Sequence, residues 1–488
     1  MKPIILAVFI AAATALAQQV DVHWDRVERV SETTATLQVV VNPPLRRGSA
    51  IHDRVFTELE RVGADYVRYV PWLPYPKLAV AELDPPTAGK TSWDFSIIDP
   101  MTLDFLNATK GHPVILNFST IPQWMFKTAE PVKYPANPDE VVWNYTQGTE
   151  LRDPSGKELG DYYARLVSWY TNGGFTDELG IRRESGHHFK IAYWEVLNEV
   201  DFEHEMTPEQ YTARYDAIVS AIHEAAPEVK FVGLALAAPS DNPRMFEYFL
   251  NPQNHRPGVP LDMISYHFYA TPHEDESPGV QQYTFFDQAD RFLATVRYIE
   301  AIRQRLSPAT QTTINEIGSI LAGDPNGKPP IPDSYWNLSG ACYAYLFGNL
   351  ASMGIDIAGE SQLVGYPTQF PSVSMVDWNT GAPNARLRVL ELLENNFHPG
   401  DRIVKTSSGT SGVYALGMIS PKGERKLLLV NQRDRNTELI ITGRVSEVQY
   451  VDQTTKGGEP GRVAMSANKL TLRGLSVAVV TLESEPRP

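Results

Sequence analysis

Two stretches of this chain end alike, and their ends could cleave a glycosidic bond. Lys190–Glu199, KIAYWEVLNE, reads as a buried strand closing on an amide and a carboxylate, and Gln311–Glu316, QTTINE, repeats that ending with Asn315–Glu316. Glycoside cleavage needs one carboxyl to protonate the leaving oxygen and a second to attack or stabilise the sugar cation. Glu199 is the candidate acid/base. Such an acid must be protonated near neutral pH, and Tyr193 and Trp194 supply apolar surface that would favour the neutral form. Glu316 is the candidate nucleophile. It must be ionised, and Arg68, at the end of an earlier predicted strand, is the candidate cation, a rim salt bridge being the alternative. Carboxyl groups about 5–5.5 Å apart would mean retention at the anomeric carbon, and about 6.5–9.5 Å inversion.

Further side chains fall at predicted strand ends. Asn198, beside the acid, could hydrogen-bond the hydroxyl next to the reacting carbon. His267 and Tyr269, two apart in SYHFY, would face the same way, with the tyrosine donating to the nucleophile. Asn117 could reach a sugar hydroxyl. Trp124, Trp336 and Trp378 are either stacking platforms or core. Glu360 and Gln362 either bind a polar group or are structural. Lys77, Lys127 and Arg152 would have to reach the cleft if the sugar were acidic. No metal site is expected: His187–His188 are adjacent and would diverge on a strand, and His204 with Glu203 and Glu205 is a weak ligand set. No G-x-S-x-G elbow or Walker loop occurs.

The two glutamates are 316 − 199 = 117 positions apart. Only a fold that gathers strand ends can bring them together. The pattern alternates: strands at 34–41, 66–70, 113–118, 191–197, 230–236, 263–268, 312–315 and, less clearly, 355–358, with helices at 52–61, 208–226, 286–306, 336–352 and 385–396. Eight such units over residues 34–397 predict an α/β fold, a (β/α)8 TIM barrel, whose strand carboxyl ends share one face. An open doubly wound sheet is the alternative, but no glycine-rich phosphate turn follows an early strand. The Trp- and Tyr-rich stretch 119–189 reads as a long loop walling the cleft or as a passive insertion. Beyond His398–Pro399–Gly400, short alternating segments predict an accessory β-sandwich at 398–488, joined by 18–33.

At 488 residues, with 42% hydrophobic and 21% charged, the chain can build a large core without disulfides. That matters because Cys342 is its only cysteine. Met1–Ala17 has Lys2, an apolar run and an A-x-A ending, and reads as a secretory signal peptide, a buried helix or anchor being the alternative. Cleavage would remove Lys2 and take the formal charge from −15 to −16. That argues against nucleic acid and anionic membranes as partners, and suits a carbohydrate. Oligomeric state is open.

WEVLNE and INE at these strand ends, with Tyr266–Tyr269 on the strand between, resemble the clan A glycoside hydrolases. Asp377–Leu393 before a C-terminal β-domain resembles family 39, the β-xylosidase and α-L-iduronidase type. The resemblance implies a retaining mechanism with Glu199 as acid/base, Glu316 as nucleophile and no cofactor. The loops PWLPYPKLAVAELDPP and NFSTIPQWMF match no pattern of those enzymes, so the sugar stays open. The expectation is a secreted retaining glycosidase acting on poly- or oligosaccharide. A non-catalytic carbohydrate-binding or wall-associated barrel and a transglycosylase are the competing readings.

Overall fold

The computed structural model describes residues 18–130, 133–143, 148–323, 331–465 and 468–483. The proposed signal peptide, Met1–Ala17, lies outside them. Numbered in chain order, the first strand is β1 (Gln18–Val30). The next, with their helices, are β2 (Thr34–Val40), α1 (His52–Val62), β3 (Val67–Val70), α2 (Pro76–Ala79), α3 (Ile98–Ala108), β4 (Val114–Leu116), α4 (Lys157–Thr171), β5 (Gly174–Thr176), β6 (Arg182–Glu184), β7 (Tyr193–Glu195), α5 (Pro208–Ala225), β8 (Lys230–Leu236), α6 (Pro243–Phe249), β9 (Met263–Ala270), α7 (Pro278–Leu306), β10 (Gln311–Ser319), α8 (Asp333–Met353), β11 (Ile357–Glu360) and α9 (Ala385–Glu394). Strands β2, β3, β4, β7, β8, β9, β10 and β11 pair in parallel around a closed barrel. All eight predicted strands are present.

Local sequence explains the boundaries. Thr207 and Gln210 form a reciprocal capping box, with Pro208 at the first helical position, so α5 starts sharply. Gly63 and Gly354 take left-handed backbone just past α1 and α8 and stop them. Helix α7 begins at Pro278, a turn or more earlier than the apolar spacing suggests, because proline suits a helix start. The stretch 119–189 is not one loop. KELGDYYARLVSWYT forms α4, which packs on α5, and β5 and β6 make a hairpin after it.

The barrel is distorted where the chemistry would sit. In β10 the register slips between Thr313 and Glu316 against β9, and between Ile314 and Ile317 against β11. Such a bulge re-aims the residues it contains, here Asn315 and Glu316. Strand β8 slips between Leu234 and Leu236, and its Leu234 and Ala235 hold left-handed backbone.

The remaining strands are β12 (Arg402–Ser408), β13 (Val413–Ile419), β14 (Arg425–Asn431), β15 (Thr437–Ile441), β16 (Val445–Val451), β17 (Gly461–Ala464), β18 (Lys469–Leu472) and β19 (Val477–Leu482). With β1 they form one nine-stranded sheet that folds over a core of its own, which includes Val20, Val404, Leu427, Leu439, Val448 and Val480. Strand β1 is the seam, antiparallel to β12 and parallel to β15. The other face joins the barrel: Leu416, Leu428, Val430, Val477 and Val479 belong to the same apolar cluster as the barrel helices. Tyr414 lies so close to Gly348 of α8 that a Cβ there would meet its ring at 2.7 Å.

Candidate active site

The barrel interior just below the strand carboxyl ends is an ordered polar network centred on Arg68 from β3. Arg68 is 1% exposed. Its Nε donates to Glu195 at 2.5 Å, its Nη1 to Glu316 at 2.5 Å and to Gln38 at 2.6 Å, and its Nη2 to the Asn198 side-chain oxygen at 2.6 Å. Glu195 in turn accepts from Asn117, Ser265 and Asn315 at 2.6–2.7 Å. A buried guanidinium is tolerable only when it is paired and hydrogen-bonded in this way.

Glu316 receives Arg68 on one carboxylate oxygen and the Tyr269 hydroxyl, at 2.5 Å, on the other. His267 Nδ1 stands 3.1 Å from Glu199 Oε1 and 3.5 Å from Glu316 Oε2. One oxygen from each glutamate and a His267 ring nitrogen all lie within 4.8 Å of one another. The two carboxyls, 117 residues apart in sequence, are therefore neighbours.

Their environments push them in opposite directions. Burial raises Glu199, the negative charges of Glu316 and Asp201 raise it further, and the His267 contact offsets only part of this. Burial would raise Glu316 too, but His267, Arg68 and the Tyr269 hydroxyl outweigh it and hold the group below the usual carboxylate range. Burial lowers His267, yet Glu316 and Glu199 outweigh it and lift the imidazole above its ordinary value. One carboxyl shifted toward its acid form and one toward its ionised form is the bias that acid and nucleophile roles require. The backbone is strained at the same place: Leu197 has φ 66° and Glu199 φ 40°. Non-glycine residues hold such angles only where their surroundings impose them. Here the Glu199 amide donates to the carbonyl of the distorted Ala235 at 2.8 Å.

A cavity of about 240 Å³ opens above the pair, lined in part by Asn198, Glu199, Tyr269, Glu316 and Gln362. His267 lies directly beneath, touching both glutamates. Four expected contacts are not at this cavity. Asn117 is fully buried and donates to Glu195 and to the Leu197 carbonyl, so it supports the network rather than a sugar. Glu360 is fully buried against Arg386, with 2.9 Å between Oε1 and Nε. Trp124 donates to the Glu82 carbonyl and stacks under Arg152, beside a separate depression. Trp336 packs edge-on to Tyr335 at the start of α8. Trp378, Lys77, Lys127 and Arg152 are also absent from the cavity lining, and Lys127 and Arg152 are paired with Glu150 and Glu158.

Other residues at the site were not among the sequence candidates for catalysis or sugar binding. Trp72, Trp143, Phe202 and Phe370 form much of the cavity wall. Gln38 links Arg68 to Ser361. Glu203 accepts from Trp72 Nε1 at 2.5 Å and from Asn198 at 2.8 Å, and burial, with the Glu199 charge, lifts it well above the carboxylate range. It lies on the turn that follows the acid. Only the loop conformation, which no periodicity encodes, brings it back.

Glu199, His267 and Glu316 are close enough to share a cation. Both Glu316 oxygens, however, already accept hydrogen bonds, one of them from the Arg68 cation. A metal would have to displace these contacts.

A family model described as an α-L-arabinofuranosidase 1 domain matches residues 141–291, a span that holds Glu199 and His267 but not Glu316. No curated protein matches this sequence. Among solved structures, the GH51 arabinofuranosidase from Xanthomonas axonopodis pv. citri superposes with TM-score 0.65 at 11% identity, over 96% of this chain and 100% of that one. The α-L-arabinofuranosidase from Thermotoga maritima does so with TM-score 0.65 at 12% identity, over 96% and 100%. The GH30 endoxylanase from Clostridium papyrosolvens C71 gives 0.60 at 14%, again over 96% and 100%. At such identities the likeness is one of fold, a (β/α)8 barrel with a β-sandwich. These matches support the clan A resemblance and do not single out family 39.

Proposed function

We propose that this protein is a retaining O-glycosidase. The observation that carries the proposal is the approach of Glu199 and Glu316 to within 4.8 Å, in surroundings that raise the Glu199 carboxyl and lower that of Glu316. That approach suits the short carboxyl separation of retaining enzymes, about 5–5.5 Å, rather than the wider gap that admits a water. Glu199 gives its proton to the leaving oxygen while Glu316 attacks the anomeric carbon. Glu199, now ionised, then takes a proton from the water that hydrolyses the glycosyl–Glu316 ester.

Arg68 and Tyr269 keep the Glu316 carboxylate oriented and anionic before attack. As its charge is consumed in the ester, the Tyr269 hydroxyl is free to turn toward the ring oxygen. His267 balances the two carboxyls as the proton leaves Glu199. No step requires a cofactor. We further propose that the enzyme is exported, on the strength of Met1–Ala17, and that carbohydrate is its partner. Among the described residues no helix is long and apolar enough to cross a membrane.

The family model and two of the structural relatives bear arabinofuranosidase names, so α-L-arabinofuranoside is the first glycone to test, with β-xyloside next. The test is hydrolysis of an aryl glycoside panel by wild type, Glu199→Ala and Glu316→Ala. Activity on one glycone, lost by several orders of magnitude in Glu316→Ala and restored by azide as a glycosyl azide, supports the reading. Equal activity in all three proteins would refute the two-glutamate assignment.

A further inference from the structure

We infer that the leaving group this site accepts is an apolar alcohol, alkyl or aryl, rather than a second sugar. The inference rests on reading the site as a glycosidase. The side from which Glu199 must protonate the leaving oxygen is built from aromatic surface. Phe202 lies on the acid's own turn, its amide donating to the Glu199 carbonyl at 2.8 Å. Trp72 is tied to the same turn through Glu203. Trp72, Trp143 and Phe370 form one cluster: Trp72 and Phe370 stack at 6.3 Å, and Trp143 meets both edge-on at 5.5 and 5.6 Å. Phe202 and Trp143 are 74% and 40% exposed, unusual for rings that line a cavity. Phe370 sits at φ 50°, a backbone state costly for a bulky residue and held here with its ring against the cavity.

Polar capacity points the same way. A sugar leaving group brings several hydroxyls, and each loses water on entry and needs a partner. Near these rings the polar groups are engaged or shut away from solvent, Glu203 Oε2 being buried without a partner. Glu203 Oε1 accepts from Trp72 and Asn198, and Asn198 spends its oxygen on Arg68 and its nitrogen on Glu203. Gln38 spends its oxygen on Arg68 and its nitrogen on Ser361. Gln362 donates to the Val364 carbonyl, which leaves its oxygen for a ligand. That oxygen, Glu199 and Glu316 can serve one sugar ring at the reacting centre. Little remains for a second ring, whereas an apolar chain would bury its surface against the four aromatic side chains.

The test compares methyl and n-octyl glycosides of the glycone that the aryl panel identifies, below the micellar concentration of the octyl compound. The two leaving alcohols are alike in acidity, so a difference reports binding in the transition state. Each methylene buried contributes up to about 4-fold, and octyl over methyl is expected to gain roughly 100-fold in kcat/KM. Phe202→Ala should cut that ratio by about 10-fold. Equal rates on the two alkyl glycosides, or a disaccharide of the same glycone outpacing the octyl compound, would overturn the inference and leave the glycosidase reading standing. Failure to hydrolyse any glycoside, aryl ones included, would overturn both.

Discussion

Glu199 and Glu316 sit in one apolar-walled site yet are biased toward opposite protonation states, and the bias comes from their neighbours. Glu316 touches a guanidinium and a hydroxyl, whereas Glu199 touches one imidazole and otherwise faces burial and like charge. The pH dependence follows from those signs. Activity needs Glu316 ionised, so the acid limb of kcat/KM should fall below the ordinary carboxylate range. It needs Glu199 protonated, so the alkaline limb should lie above that range, and a pH–rate profile on a neutral substrate measures both. Replacing Glu199 by Gln should abolish the alkaline limb along with most turnover on poor leaving groups. Glu203 gives a second residue-scale prediction. It is held protonated, and a glutamine can accept from Trp72 and Asn198 as the neutral acid does. Glu203→Gln should keep kcat/KM within about 3-fold, while Glu203→Ala, which frees both partners, should cost about 10–100-fold, by analogy with the loss of residues that orient reacting groups. Glu199 and Glu316 were legible in the sequence because each closes an apolar strand. The facing of Asn117 and Glu360 was not, because a position near a strand end does not say whether a side chain rises into the cleft or turns into the barrel.

At the scale of elements, the site depends on β10 being bulged and on the segment after β11 being pinned. Arg386 of α9 does the pinning. It pairs with Glu360 and donates to the carbonyls of Ser361 and Val373, which bracket the loop that carries Gln362 and Phe370. Both members of the pair are fully buried. Removing one partner of such a pair costs about 3–5 kcal/mol, since the other is left uncompensated. Arg386→Met should therefore lower chemical-denaturation stability by roughly that amount and weaken substrate binding as the loop loosens. The barrel strands were legible because each is a short β-branched or apolar run. Helix α4 was missed because its buried face is tyrosine-rich (Tyr162, Tyr163 and Tyr170), and in sequence those rings resemble a cleft-lining loop. The aromatic wall was missed for the converse reason: Trp72, Phe202 and Phe370 reach one cavity only through loop conformations, two of which include left-handed backbone, at Glu199 and at Phe370.

For the whole molecule, barrel and sheet share one apolar cluster and exchange polar contacts. Gln282 accepts from the Asp434 amide, and Arg388 donates to the Gly457 carbonyl. The β-sheet is therefore a brace. A chain ending at residue 397 should expose the face of α8 that carries Tyr345 and Gly348, which Tyr414 covers, and aggregate, while the full chain should melt in a single transition by calorimetry. Stability should also depend on pH in a definite direction. Burial pushes Glu82 and Glu391 up to about 8 each. A carboxyl raised in the folded state holds its proton there after the unfolded chain has lost it. Its stabilisation is full below the unfolded value and is lost as pH rises through the folded one. The thermal midpoint should therefore fall between about pH 5 and pH 8.5, and repulsion within a chain of formal charge −15 acts in the same direction.

The central claim, that Glu316 attacks the sugar, is tested most directly by trapping. The protein is incubated with a 2-deoxy-2-fluoro glycoside of its preferred glycone carrying an activated leaving group, and the modified residue is mapped by peptide mass spectrometry. The predicted result is one stoichiometric adduct on Glu316, formed as activity is lost. Turnover of the parent substrate with Glu316 unmodified and the product anomer inverted would contradict the account.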